Sequence, residues 1–248
     1  MTETGTNWKI VLYERPTSRG KSVLPKLFGR AAGHIFLGLT DGTKIHTEMH
    51  AIVMSLHNDP DASIKSYKKV DVRGSGRIPW VRRLEYIETF SMLFGIRPIV
   101  NFIVRHTGMR HRRSTIRVCV LKKEAAPNKN AGETTFDERT VNPYEIVSET
   151  TIDEGSEQHV RRAWQKMRSV SNTFNLKNVP YCQLSPAGEF NCQATLRWVL
   201  NQCGYDTTKV SFQLWNPGWD PTETISDMVR SVNWTAVPKL AMKSLLKI

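Results

Sequence analysis

Apolar and polar positions alternate in short runs through both ends of the chain, and these runs predict strands and helices in mixed order. Lys9-Ile-Val-Leu-Tyr13 predicts a first strand, followed by a basic loop through Arg15-Pro16 and Arg19-Gly20-Lys21 to about Arg30. Gly33-His-Ile-Phe-Leu-Gly-Leu39 is short and nearly all apolar, which suits a strand, and the Asp-Gly pair of Thr40-Asp-Gly-Thr43 predicts a hairpin turn. The return strand, Lys44 to Ser55, is long enough to bend midway, and a further strand is expected near Ile64 to Val72. Helical spacing marks Trp80 to Phe94, through Val81, Leu84, Ile87 and Leu93, and Ser156 to Thr173, through Val160, Ala163, Trp164, Met167 and Val170. Thr115 to Leu121 alternates as a strand, Glu124 to Pro143 reads as a loop, and Tyr144 to Ile152 as another strand. Asn191 is a favoured cap for a helix from Cys192 to a stop at Gly204. Ser211 to Trp215 predicts a strand, and Asp220-Pro-Thr-Glu223 the start of a helix reaching about Val229.

The 248 residues suit one domain, 1–248, with room for a sizeable core, and 40% hydrophobic against 23% charged residues marks a folded chain. Lys and Arg exceed Asp and Glu by 12, which points to anionic surroundings. The four cysteines, Cys119, Cys182, Cys192 and Cys203, form no C-x-x-C pair, so neither a zinc ribbon nor a dense disulfide framework is expected. The first residues lack a basic segment followed by an apolar run. The expectation is therefore cytoplasmic synthesis without a signal peptide, with export only by a machine that ignores one. No apolar run approaches the roughly 18 residues of a membrane span.

Cys192 is the leading candidate for chemistry. A thiol in the first turn of a helix sits in the positive end of the helix dipole, which favours thiolate. The bland alternative is a buried structural thiol, the reading preferred for Cys119 and Cys203. A cysteine nucleophile needs a base, and the base needs a third group to orient it. His34 opens the apolar strand and is the base candidate; His46, across the Asp41-Gly42 turn, is the orienting candidate, with His50 as its rival. His46, Glu48 and His50 could share a strand face, yet His-Thr-Glu-Met-His is not the His-Glu-x-x-His helix motif, and no metal or other cofactor is expected. Gly20-Lys21-Ser22 lacks the first glycine of a phosphate-binding loop. Arg97 to Lys123 is densely basic, with Phe94 and Phe102 nearby, and reads either as a solvated face or as a docking patch for an anionic partner. The basic, apolar tail from Val237 to Ile248 suits a membrane surface or docking on the domain. No specific nucleic acid is predicted.

Gly33-His34, His46, Tyr181-Cys-Gln-Leu184 and Asn191-Cys192, with Trp198-Val199-Leu200 and Gly204-Tyr205, resemble the circularly permuted branch of the NlpC-type papain-like superfamily. That branch includes the lecithin:retinol acyltransferase-like proteins. The resemblance covers about residues 33–50 and 160–230 and leaves about 60–150 as a large unmatched insertion. It implies an α+β fold in which an antiparallel sheet packs against the cysteine-bearing helix. It further implies Cys192 as nucleophile, His34 as general base, His46 as orienting residue and the Cys192 backbone N–H as an oxyanion donor. The expected activity is cysteine-dependent hydrolysis of an amide bond, in a peptide or a cell-wall peptide, through a thioacyl-enzyme. A cell-wall-hydrolase-like site, high basicity and no leader also fit a bacterial antagonistic effector. Ester, thioester or lipid acyl hydrolysis or transfer ranks second, because the chain has Gln193-Ala194 where the lipid acyltransferases have Glu-His. A non-enzymatic nucleic-acid or membrane-surface binder, working through the Arg97–Lys123 patch, is the alternative of a different class.

Overall fold

A computed structural model describes residues 7–16, 33–54, 91–106, 115–122, 146–177, 179–182, 184, 189–230, 232 and 235. The expected strand near Ile64 to Val72, the loop from Glu124 to Pro143, the C-terminal tail and most of the expected Trp80 to Phe94 helix lie outside these residues.

Five strands form one antiparallel sheet: β1 (Trp8–Pro16), β2 (Gly33–Thr40), β3 (Ile45–Met54), β4 (Thr115–Lys122) and β5 (Ser148–Gly155), in the order β4-β3-β2-β1-β5. Among the described residues, four helices of full extent accompany it: α1 (Arg97–His106), α2 (Glu157–Leu176), α3 (Cys192–Gln202) and α4 (Ile225–Arg230). The architecture is α+β, as the order of elements predicts. β4 comes from within the segment expected to be an insertion, yet it is a strand of the main sheet, paired along β3 from Met54↔Thr115 to Thr47↔Lys122.

Strand alternation divides the sheet into two faces. Trp8, Ile10 and Leu12 of β1, Ile35, Leu37 and Leu39 of β2, Met49 and Ala51 of β3, and Ile116 and Val118 of β4 lie in the main core. Over them pack Val160, Trp164, Met167 and Phe174 of α2 and Leu196, Val199 and Leu200 of α3. Each such large side chain contributes about 1.5–3 kcal/mol by leaving water, so this face supplies most of the fold's apolar stabilisation. The opposite face carries a smaller cluster, Val11, Tyr13 and Phe36, with Ile45 and Ile146 against it. The outer edge of β4 is covered: Asn175 accepts from Val118 N at 2.8 Å and donates to Val118 O at 2.9 Å, and Ile116 N donates to Val179 O at 3.0 Å. Such pairing blunts a strand edge that would otherwise template aggregation.

Two local expectations change. Residues 211–215 form no regular strand, because the backbone N–H groups of Gln213 and Leu214 donate instead to the Glu14 carboxylate at 2.8 and 3.0 Å. α4 begins at Ile225, not beside Asp220. Asp220 closes a turn by accepting from Thr222 N, while Thr224 and Asp227 cap each other reciprocally, Asp227 N donating to Thr224 Oγ1 at 3.2 Å and Thr224 N to Asp227 Oδ2 at 3.1 Å. Among the described residues, no helix is long and apolar enough to cross a membrane.

Candidate active site

Asn191 and Cys192 open α3 as the sequence predicts. Asn191 is extended, and its Oδ1 accepts from Ala194 N at 2.9 Å, which satisfies one of the orphan donors of the first turn. Its Nδ2 donates to Pro217 O at 2.6 Å, so the cap is held from outside the helix as well. The cap residue is buried, whereas Cys192 beside it is half-buried and keeps its thiol at the rim of the core. Gln193 Nε2 donates to Gly33 O at 2.9 Å, which fixes the start of α3 against the start of β2. Gly33 N in turn donates to Trp215 O at 2.9 Å. The glycine at position 33 is a steric requirement, since a Cβ there would lie 2.6 Å from Asn216 Oδ1.

Glu14 organises this corner, and motif reading missed it. It is fully buried, and its carboxylate accepts from Gln213 N, Leu214 N, Asn216 Nδ2 at 2.6 Å and Ser148 Oγ at 2.7 Å. The 213–217 loop so held is the one that receives Asn191 and Gly33. Its signal in the sequence is a lone acid in the series Trp8, Ile10, Leu12, Glu14, the core-facing positions of β1.

The structure does not bring the three expected site residues together. His34 lies opposite Arg15 and Phe36 opposite Tyr13, so both side chains turn away from the face that holds α3. There His34 stacks on His50, with ring centroids 5.9 Å apart, and His50 stacks on Phe36 at 4.8 Å. His50 Nε2 bonds Glu48 Oε2 at 2.9 Å, and both residues are buried. The histidine beside His34 is therefore His50, not His46. His46 sits at the far end of the hairpin, where Nε2 bonds Asp41 Oδ2 at 2.6 Å and the ring stacks on Trp8 at 4.7 Å. The six residue steps from His34 to Thr40, which pairs with Ile45, span roughly 20 Å. His46 is thus a partner of the turn: Asp41 Oδ1 also accepts from Thr43 Oγ1 at 2.6 Å, Lys44 N and Thr43 N, and these bonds, the Thr43 hydroxyl first, hold the Asp41 carboxyl well below the usual range.

His34 is half-buried as a residue, but its Nε2 is sealed from solvent and has no hydrogen-bond partner. Burial first, then the Arg15 guanidinium and His50, hold its imidazole well below the ordinary 6.5. The ring is therefore neutral at neutral pH, the protonation state of a base and not of an acid. The sign of the linkage follows: the unfolded chain takes up a proton near pH 6.5 that the folded chain refuses. Stability conferred by neutral His34 is complete above pH 6.5 and is lost as the pH falls towards the folded value, by at most about 1.4 kcal/mol per pH unit. Thermal melting between about pH 7 and pH 5, above the carboxylate range, is expected to fall in the wild type and to flatten in His34→Gln.

The row Tyr13, Phe36, His50 continues into β4, because His50 pairs with Cys119. Phe36 and Tyr13 stack at 5.2 Å, and burial, with Glu149 and Glu48, pushes the Tyr13 hydroxyl up to about 12. Cys119, expected in the core, is half-buried and shares the face of His50. Directly opposed residues in an antiparallel pair have Cβ atoms about 4.5–5.5 Å apart. The register thus sets a thiol across from a carboxylate-held imidazole, a juxtaposition that local patterning does not show. Cys203 is buried, and its thiol is pushed up by that burial against an opposing pull from Lys166, as befits a structural cysteine. Cys182 is buried beside Met92. Among the described residues, no cluster of three or more His, Cys, Asp or Glu side chains is disposed to hold a metal ion. Compared with family models, curated proteins and solved structures, the chain matches none.

Proposed function

We propose that the chain is a cysteine-dependent acyl hydrolase acting on amide bonds of peptides, with Cys192 as nucleophile. The observation that carries the reading is the helix start itself. A half-buried thiol occupies the first position of α3, its cap is fixed by Pro217, and its neighbour Gln193 is tied to Gly33, one residue from His34. In the proposed reaction Cys192 Sγ attacks the carbonyl carbon and its proton passes to neutral His34. His34 then returns that proton to the leaving amine as the C–N bond breaks, and water releases the thioacyl-enzyme. The permuted papain-like assignment belongs to this proposal too, and rests on the Gly33-His34 and Asn191-Cys192 motifs. The reading carries one structural demand. The ring of His34 must cross to the α3 side of β2.

A second reading of the same chemistry makes Cys119 the nucleophile and His50, oriented by Glu48, the base. The His50↔Cys119 register and the 2.9 Å Glu48 contact favour it, and it needs no rearrangement of β2. Alkylation by iodoacetamide, followed thiol by thiol with peptide mass spectrometry between about pH 5.5 and pH 9, separates the two. Cys192 is expected to react at about pH 6.5 at least tenfold faster than Cys182 and Cys203, and to lose that advantage in His34→Ala. A fast Cys119 that depends on His50 moves the nucleophile to the other face. Four thiols with ordinary titration curves defeat both readings.

A further inference from the structure

We propose that α1 and the residues leading into it form an in-plane anchor for an anionic lipid surface, beside the start of α3. The chain turns abruptly there. Met92 and Leu93 are buried with Cys182, Leu184, Met228 and Val232, and Gly95, at φ 69°, then throws the chain outward. From that turn onward the large apolar side chains are exposed, Ile96 47%, Ile99 61% and Phe102 62%, as is Phe94 just before it, 49%. Single exposed hydrophobes are ordinary, but four within nine residues on one short element make a patch. Along α1 the polar positions Arg97, Asn101 and Arg105 recur every fourth residue and the intervening positions are apolar or proline, the pattern of a helix lying in a membrane interface.

Charge selects the occupant. No Asp or Glu occurs between Glu88 and Glu124, whereas Arg97, Arg105, Arg110, Arg112, Arg113, Arg117, Lys122 and Lys123 all fall there. A second copy of this chain would bring two such segments, each from a molecule of charge +12, against one another. Nucleic acid would use the charge and stack on the phenylalanines, but it offers nothing to Ile96 and Ile99. A bilayer with anionic headgroups takes both the apolar face and the positive charge. The anchor is also placed with respect to the candidate site, because Arg97 pairs with Glu189, three residues before Cys192. Docking would set the start of α3 close to the lipid surface. The proposal does not depend on which thiol is the nucleophile.

The test is flotation of the purified full chain with vesicles of phosphatidylcholine alone or with about a third phosphatidylserine. Binding to the anionic vesicles is expected, and I99E/F102E should weaken it at least about tenfold, since two large apolar side chains no longer enter the interface. Thermal melting of the double variant beside the wild type is the control that separates lost binding from lost folding. In the conservative variant F102W, the emission gained over the wild type, which has seven tryptophans of its own, should shift to the blue on adding anionic vesicles and be quenched by brominated lipid. Four results overturn the proposal: no binding by the wild type; equal binding by I99E/F102E; an unshifted F102W; or a concentration-dependent dimer that I99E/F102E abolishes in the absence of lipid.

Discussion

Replacing Glu14 with Ala is expected to cost the fold about 3–5 kcal/mol, because each buried donor left without an acceptor costs about 1–3 kcal/mol. The reason is local and specific. Gln213 N, Leu214 N, Asn216 Nδ2 and Ser148 Oγ all donate to this carboxylate, and none keeps that acceptor in the variant. A chain of this size loses about 2–4 °C of melting temperature per kcal/mol, so a drop of roughly 10 °C is expected by calorimetry or circular dichroism. Glu14→Gln keeps one acceptor oxygen and should fall between Ala and wild type, with Nε2 poorly matched to donors that all point inward. The damage should also reach the candidate site. Asn191 donates to Pro217 O and Gly33 N to Trp215 O, so a loosened 213–217 loop leaves α3 without its outer fixings. Faster alkylation of Cys192 at high pH, through greater exposure, is the expected signature in Glu14→Gln if it is folded. A Glu14→Ala protein as stable as the wild type would mean that the loop holds itself.

The sheet and the two core helices were legible because their residues carry their own signals. β1, the β2–β3 hairpin, β4, α2 and α3 follow from apolar runs, the Asp41-Gly42 pair and the Ser156 and Asn191 caps. The site was only partly legible, for three physical reasons. First, β2 is apolar at almost every position, so its sequence has no alternation to tell which side faces α3; Ile35, Leu37 and Leu39 do so, and His34 with Phe36 turns away. Second, pairing across a hairpin depends on the length of the turn. Asp41 captures Thr43 N and Lys44 N, so pairing begins at Thr40↔Ile45 and shifts register before Leu39↔Thr47. That register leaves His46 at the turn and brings His50 to the row of Phe36. Third, the meeting of Cys119 with His50 spans strands separated by a long segment, and local patterning cannot report it. α1 escaped notice because Arg97-Pro98 resembles a break between elements and its apolar residues face outward. The deviations concentrate around the histidines, where local rules and global packing disagree most.

Cys192→Ala should separate catalysis from folding most sharply. Alanine is the best helix former, the Asn191 cap does not use the thiol, and only one half-buried sulfur is removed, so the stability change should stay within about 1 kcal/mol. Turnover of an activated amide or thioester should nevertheless fall at least about a thousandfold, because loss of the attacking atom leaves only binding and backbone polarisation to assist the reaction. Cys203→Ala is the matching control with the opposite profile. Its sulfur is buried against the core and its thiol is pushed up by that burial, so removing it should lower stability and leave turnover intact. Cys119→Ala completes the set by testing the thiol opposite His50. If it alone abolishes turnover, the working face of the sheet is the one with Glu48, His50 and His34, and the start of β2 need not rearrange. If Cys192→Ala and Cys119→Ala both turn over substrate as the wild type does, neither thiol attacks and both proposed pairings fail. The decisive comparison is therefore between two faces of one sheet, set by two single-atom deletions.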